Sequence, residues 1–469
     1  MKHIVFVAPN SFVVRNWLSS GLASLCQEQL DLSPVFVTPF YDEAFQCHDG
    51  STFKNCYIPM VDDLTPVGYS PTLARLHMLR LIAFALDVEN GSRQMMIMAK
   101  LKGKTVVAVK IAKALFPRGT QRRVLVRWLL DSYGPRHEPA ADILRQLDCQ
   151  FVITGSPGFF ALDQVFMIES KRLRIPTHCV VSSWDNMTSR GPMIGRPQTL
   201  MVWNEYMRDD AVRIHQYPSD RIYVVGSLQF TPYGAPVTPE ETDYLYARLG
   251  LPRGIPYLLY CTGQHFPQYE AGDVQVLASL LPATEYADIP LVVRLHPQAD
   301  SKPFEAVTDP KVILDYAPRF AWGGGSGSRF DLSEIRYMAA LLSNAKIIIA
   351  SWGTTVLLEA AIWGKPALQL RWMDSVPRKH PDQAVWIRRM QEYIHLIAFD
   401  ATGSRHFCDS PALFACSVDY LVTHEEEFRQ RRKMAVDSLV GTPLNESPQR
   451  IVNVLKFWLS DSRSASYPV

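Results

Sequence analysis

One pattern governs what this chain can become. A short apolar run ends in small or polar turn residues, an amphipathic stretch follows, and the unit repeats along the sequence. His3–Ala8 runs into Pro9-Asn10-Ser11, and Val35–Thr38 is a second run. Phe151–Thr154 ends at Gly155-Ser156-Pro157-Gly158, and His178–Val181 ends at Ser182-Ser183-Trp184-Asp185-Asn186. Leu200–Trp203 and Ile222–Val225 follow, the latter ending at Gly226-Ser227. Strands that alternate with helices pair in parallel, with helices on both faces of the sheet. From Thr231 to Pro256 the sequence turns polar and proline-rich. The pattern then restarts at Tyr257–Cys261 and continues through Leu291–Leu295, Val312–Leu314, Lys346–Ala350, Ala367–Leu370 and Ile397–Phe399. The expected architecture is α/β, with two doubly wound Rossmann-like domains facing a cleft. Their expected ranges are 1–230 and 231–445. A C-terminal helix in 446–469 has Ile451, Val454, Leu455 and Trp458 on one face, and its crossing back to the first domain is left open. A length of 469 residues fits two cores better than one.

Composition excludes several classes. Hydrophobic residues are 47% and charged residues 20%, an ordinary globular balance. The net charge of +2 gives no case for a nucleic-acid partner. The first apolar run stops at Pro9, too short for a signal peptide, and no run of about 18 apolar residues predicts a membrane span. The eight cysteines form no Cys-x-x-Cys pair and read as thiols of a reducing compartment. The expected location is cytoplasmic, with peripheral contact at the inner face of a membrane left open. That contact would come from Arg93 to Arg127, which holds ten Lys or Arg and no Asp or Glu. Basic residues among apolar ones suit an anionic membrane surface or an anionic acceptor, and equally a solvated helix face.

The segment with the most chemistry is Lys346–Lys365. The apolar run Lys346–Ala350 ends in Ser351-Trp352-Gly353-Thr354-Thr355, and a helix is predicted from there to Gly364-Lys365-Pro366. Unpaired N–H groups and the helix dipole suit a phosphate at such a start, although Ser or Thr there also serves as a plain cap. Glu359 lies one turn after Thr355 and can accept hydrogen bonds from a ribose diol. The stretch Ser343 to Pro366 resembles the donor-binding segment of GT-B glycosyltransferases. It is also similar to the matching segment of CDP-glycerol glycerophosphotransferases and of UDP-N-acetylglucosamine 2-epimerases. By that resemblance Ser351, Gly353, Thr354 and Thr355 hold donor phosphates and Glu359 holds ribose. The resemblance is strongest over about residues 255–370.

Two further elements join it. Leu291–Leu295 ends in His296-Pro297, and a His-Pro pair at a strand end resembles that of transferases using CMP-sugars or CDP-polyols, where the histidine contacts phosphate. Arg294 and His296 alternate with Leu295, so both can point to one side as a cationic pair, or Arg294 can lie at the surface with His296 buried. Thr262-Gly263-Gln264-His265 follows the first strand of the second domain. Gly263 lets the backbone approach phosphate, and His265 is a candidate to contact donor or acceptor.

No Asp-x-Asp pair occurs anywhere, so no metal and no cofactor beyond the nucleotide-sugar substrate are expected. Positions eight before and after Glu359 are Ser351 and Ala367, so the paired glutamates of retaining relatives are missing and inversion is favoured. An inverting enzyme needs a base for the acceptor hydroxyl. Asp185 is the first candidate, with Trp184 and Asn186 beside it as acceptor contacts; an Asp–Asn turn with a packed tryptophan is the alternative. His48, Asp49, His137 and Glu138 are further candidates. Asn10, Ser11 and Arg15 are expected to bind acceptor. The function expected is sugar transfer from a nucleotide-sugar to a glycan, lipid-linked or small-molecule acceptor. Polyol-phosphate transfer from a CDP donor, UDP-sugar 2-epimerisation and non-catalytic nucleotide or glycan binding are the alternatives.

Overall fold

A computed structural model of the chain describes residues 2–61, 65–87, 107, 126–130, 132, 134–264, 266–318, 332–351, 354–372 and 393–461. The chain divides into two compact units. One comprises Met1–Pro232, Ala321–Leu332 and Gly441–Val469, and the other Tyr233–Phe320 and Ser333–Val440. The C-terminal helix, Ser447–Asp461, is thus counted with the first unit.

In the first unit β1 (His3–Val7), β2 (Ser33–Thr38), β3 (Ala44–Gln46), β4 (Thr52–Tyr57), β5 (Cys149–Thr154), β6 (Thr177–Val180), β7 (Thr199–Val202) and β8 (Ile222–Val224) form one sheet in the order β3-β4-β2-β1-β5-β6-β7-β8. Every pairing is parallel except β3 with β4. Alternate residues of β1 serve opposite faces. Ile4 and Phe6 join a core with Trp17, Leu22, Ile451 and Leu455, while Val5 and Val7 join another with Ala140, Leu144, Leu162 and Phe166. A strand covered on both sides must be apolar throughout, which is why these runs do not alternate in the sequence. The antiparallel β3–β4 pair was not foreseen. Its signal is the Asp49-Gly50 turn, where Gly50 has φ 85° and Asp49 Oδ1 accepts the Ser51 N–H at 2.9 Å.

In the second unit β9 (Leu258–Cys261), β10 (Leu291–Leu295), β11 (Val312–Tyr316), β12 (Ile348–Ala350), β13 (Ala367–Leu370) and β14 (His406–Cys408) make an all-parallel sheet, order β11-β10-β9-β12-β13-β14. One expected strand is corrected. Ile397–Phe399 lies in the helix Ile394–Ala401. Leu396 and Phe399, three apart, are fully buried while Ile397 is 60% exposed, the spacing of a helix face rather than a buried strand. Among the described residues no helix is long and apolar enough to cross a membrane.

In each sheet the first strand lies between neighbours reached in opposite directions: β1 between β2 and β5, and β9 between β10 and β12. The carboxyl ends of such strands open a crevice, the usual ligand position in doubly wound sheets.

Candidate functional site

The crevice of the second unit lies between the loop after β9 and the loop after β12, and Ser351, Thr354, Gly263 and the helix carrying Glu359 all border it. Part of this rim is self-satisfied. Ser351 donates to Asp273 Oδ2 at 2.7 Å, and its Oγ lies 2.5 Å from the Tyr260 hydroxyl. A hydroxyl has one proton, so Tyr260 donates to Ser351 and Ser351 to Asp273. Burial, followed by the Glu270 and Asp273 charges, pushes the Tyr260 phenol well up and keeps it protonated. Gly263 N–H donates to Glu270 Oε1 at 2.7 Å. Glu270 and Asp273 are buried, three residues apart in the first turns of the helix Pro267–Leu280, where carboxylates are favoured. The expected phosphate donors at Ser351 and Gly263 are therefore committed inside the protein. Glu270 and Asp273 were missed in the sequence, where nothing marks which loop an acid will meet.

Arg294 is likewise committed. Its guanidinium meets Asp315 at 2.8 Å and Glu334 at 2.9 Å. Arg248 meets the same two carboxylates and lies 3.9 Å over the Tyr337 ring. Burial opposes the charge on Arg248, but the Glu334 hydrogen bond and Asp315 outweigh it and hold its proton affinity up. Two guanidinium groups face two carboxylates, so the cluster offers no spare positive charge to a phosphate. The register pairs Arg294 with Asp315 across β10 and β11, a neighbour that strand spacing alone does not reveal.

Three further candidates lie on or beside these elements. Thr354 precedes the helix Thr355–Ile362 in extended backbone, but its side chain caps nothing. Its hydroxyl oxygen is buried with no hydrogen-bond partner among the described residues. An unpaired buried hydroxyl is costly, and native proteins retain few. Glu359, 7% exposed, accepts the Tyr233 hydroxyl at 2.6 Å. His296 donates its backbone N–H to Thr262 Oγ1 at 2.8 Å, and its Nδ1 accepts from Gln298 N–H at 3.2 Å. An accepting Nδ1 makes Nε2 the protonated nitrogen of the neutral ring. Thr355 opens the helix and is half-buried. His265 and Gly353 lie outside the described residues, as does Arg93–Arg127 apart from Val107 and Val126–Arg127.

The first-unit candidates are placed differently. Asn10 caps the helix Ser11–Ser20 by accepting Val13 N–H at 3.0 Å, and Ser11 is buried in that helix. Arg15 lies 5.1 Å from the Phe12 ring and donates to Asn16 Oδ1 at 3.4 Å. The Asp185 carboxylate takes the Ser183 hydroxyl at 2.6 Å and the Ser189 hydroxyl at 2.5 Å, with Arg190 Nε at 3.7 Å. Both its oxygens thus hold the short helix Asn186–Ser189, with little left to take a proton from an acceptor. Trp184 is 6% exposed and packed rather than open for stacking, and Asn186 is buried, reaching Ser182 Oγ only at 3.5 Å. His137 caps the helix Glu138–Gln146, and burial pushes its proton affinity down. His48 approaches Leu18 O at 3.4 Å.

No protein-family model and no curated protein matches this sequence. Solved structures do match the fold. S. aureus MnaA in complex with UDP superposes with a TM-score of 0.53 at 10% identity, covering 100% of both chains. The Neisseria meningitidis UDP-GlcNAc 2-epimerase bound to UDP-GlcNAc gives 0.50 at 14% identity, over 97% of this chain and 100% of that one. The wall teichoic acid polymerase TagF gives 0.50 at 9% identity, over 98% and 90%. These proteins have the GT-B fold, and this chain has it too.

Proposed function

We propose that the chain is a glycosyltransferase that moves a sugar from a nucleotide-sugar donor to a glycan, lipid-linked or small-molecule acceptor, with inversion and without a metal. The observation that carries this reading is the helix start at Thr354, where a buried, unpartnered hydroxyl and the helix N–H groups border the β9/β12 crevice. A diphosphate there completes the hydroxyl's hydrogen bonding and meets the positive end of the dipole. Glu359 takes the ribose one turn further on, and His296 Nε2 donates to phosphate. As the acceptor oxygen bonds to the anomeric carbon, its proton passes to a base and then to solvent, and the bond to the leaving phosphate breaks. The charge gathered there is met by fixed dipoles rather than by Arg294. The absence of an Asp-x-Asp pair supports metal-free transfer. The UDP in the MnaA structure supports a uridine donor, and the basic stretch ending at the exposed Arg127 supports an anionic or lipid-linked acceptor.

Polyol-phosphate transfer from a CDP donor is the second reading, favoured by His296-Pro297 at the end of β10 and by the fold likeness to TagF. Both are tested by incubating the protein with UDP-, GDP- and CMP-sugars and with CDP-glycerol, with and without EDTA. Acceptor-dependent release of nucleotide from a sugar donor, unchanged by EDTA, is expected. Turnover of CDP-glycerol alone selects the second reading. Acceptor-free epimerisation of UDP-GlcNAc, or binding with no turnover, overturns both.

A further inference from the structure

Glu359 is the acid of a helix whose buried residues are otherwise Leu357, Leu358, Ala360 and Ala361. A carboxylate in such company is held only by hydrogen bonds. Tyr233 supplies one at 2.6 Å, from the short turn Thr231–Gly234 that leads into the second unit. Its ring also packs on Trp363, the residue that closes the same helix, at 5.5 Å between centroids. Tyr233 is thus fixed at its ring and at its hydroxyl, and it anchors the Oε2 side of Glu359. A carboxylate has about four acceptor sites, more than the Tyr233 hydroxyl alone can occupy. Two neighbouring hydroxyls on a ring match the paired oxygens of a carboxylate whose plane is set, and a lone hydroxyl does not engage both.

We propose that Tyr233 is a positioning residue: it sets the Glu359 carboxylate for a vicinal diol and so makes the crevice selective for ribonucleotides over 2′-deoxyribonucleotides. This rests on the donor-site reading above. Substrate does not touch Tyr233; its effect passes through the orientation of Glu359. Without the phenol hydroxyl the carboxylate rotates, and the second diol hydrogen bond is lost while the first survives.

The test is calorimetric titration with UDP, CDP and GDP and their 2′-deoxy counterparts, on wild type, Glu359→Ala and Tyr233→Phe. Phenylalanine keeps the ring on Trp363 and removes only the hydroxyl. Wild type should prefer the ribo form about tenfold, the effect of one hydrogen bond to a charged group. Tyr233→Phe should bring the two forms within about twofold of each other by weakening the ribo form alone, and thermal melting should show the fold retained. Equal weakening of both forms, or an intact preference, overturns the positioning role. Two outcomes remove the donor site itself, and the role with it: wild type binding no nucleotide, or Glu359→Ala keeping the preference.

Discussion

Two helix starts in this protein follow strands beside a crevice and carry a short polar side chain, yet they differ. Asn10, after β1, has its oxygen on the Val13 N–H, and the turn is complete. Thr354, after β12, caps nothing and buries an oxygen without a partner. Asp185 is held by two nearby serine hydroxyls, and Glu359 by a tyrosine hydroxyl from a distant turn. A satisfied polar group explains itself structurally. An unsatisfied one stores a cost that a ligand can remove. That contrast is the ground for proposing the nucleotide at the Thr354 helix start rather than at the loops around Asn10 and Asp185.

Substitutions can break this comparison. The largest effect is expected at Arg294. Arg294→Ala leaves Asp315 and Glu334 sharing Arg248 in a buried cluster, and urea unfolding should show a loss of about 3–5 kcal/mol. A surface or phosphate-binding arginine would show almost none. Ser351→Ala breaks the Tyr260–Ser351–Asp273 chain and should lose about 1–3 kcal/mol by the same measurement. Asn10→Ala should lose about 1 kcal/mol, the worth of a cap, with nucleotide affinity unchanged. The smallest stability change is expected at Thr354. Thr354→Val suits the extended backbone there and removes the unpartnered hydroxyl, so stability should hold or rise by up to about 1 kcal/mol.

The fold class was legible in the sequence because parallel strands buried on two faces are apolar throughout and end in recognisable turns. Ile397–Phe399 failed for the reason any short apolar run can: three residues do not distinguish a strand from one helix face. Of the candidate site, the strand-turn-helix that carries Thr354 and Glu359 was legible, because its apolar run and its stop at Gly364-Lys365-Pro366 are local signals. The partners of Ser351, Gly263 and Arg294 were not legible, because Asp273, Glu270 and the Asp315–Glu334 pair come from other elements. Residue type marks what a side chain can bond to, and only packing decides whether that capacity is already used. Tyr233 was invisible for the same reason, being 126 positions from Glu359.

The most direct measurement of the central claim is thermal melting of wild type and Thr354→Val with UDP, GDP, CMP and CDP. One nucleotide should raise the wild-type melting temperature. The variant, melting at or above the wild type when alone, should lose most of that rise, with affinity down about tenfold. If no nucleotide stabilises the wild type, or if Thr354→Val is stabilised to the same degree, the helix start at Thr354 is not a phosphate site and the account is wrong.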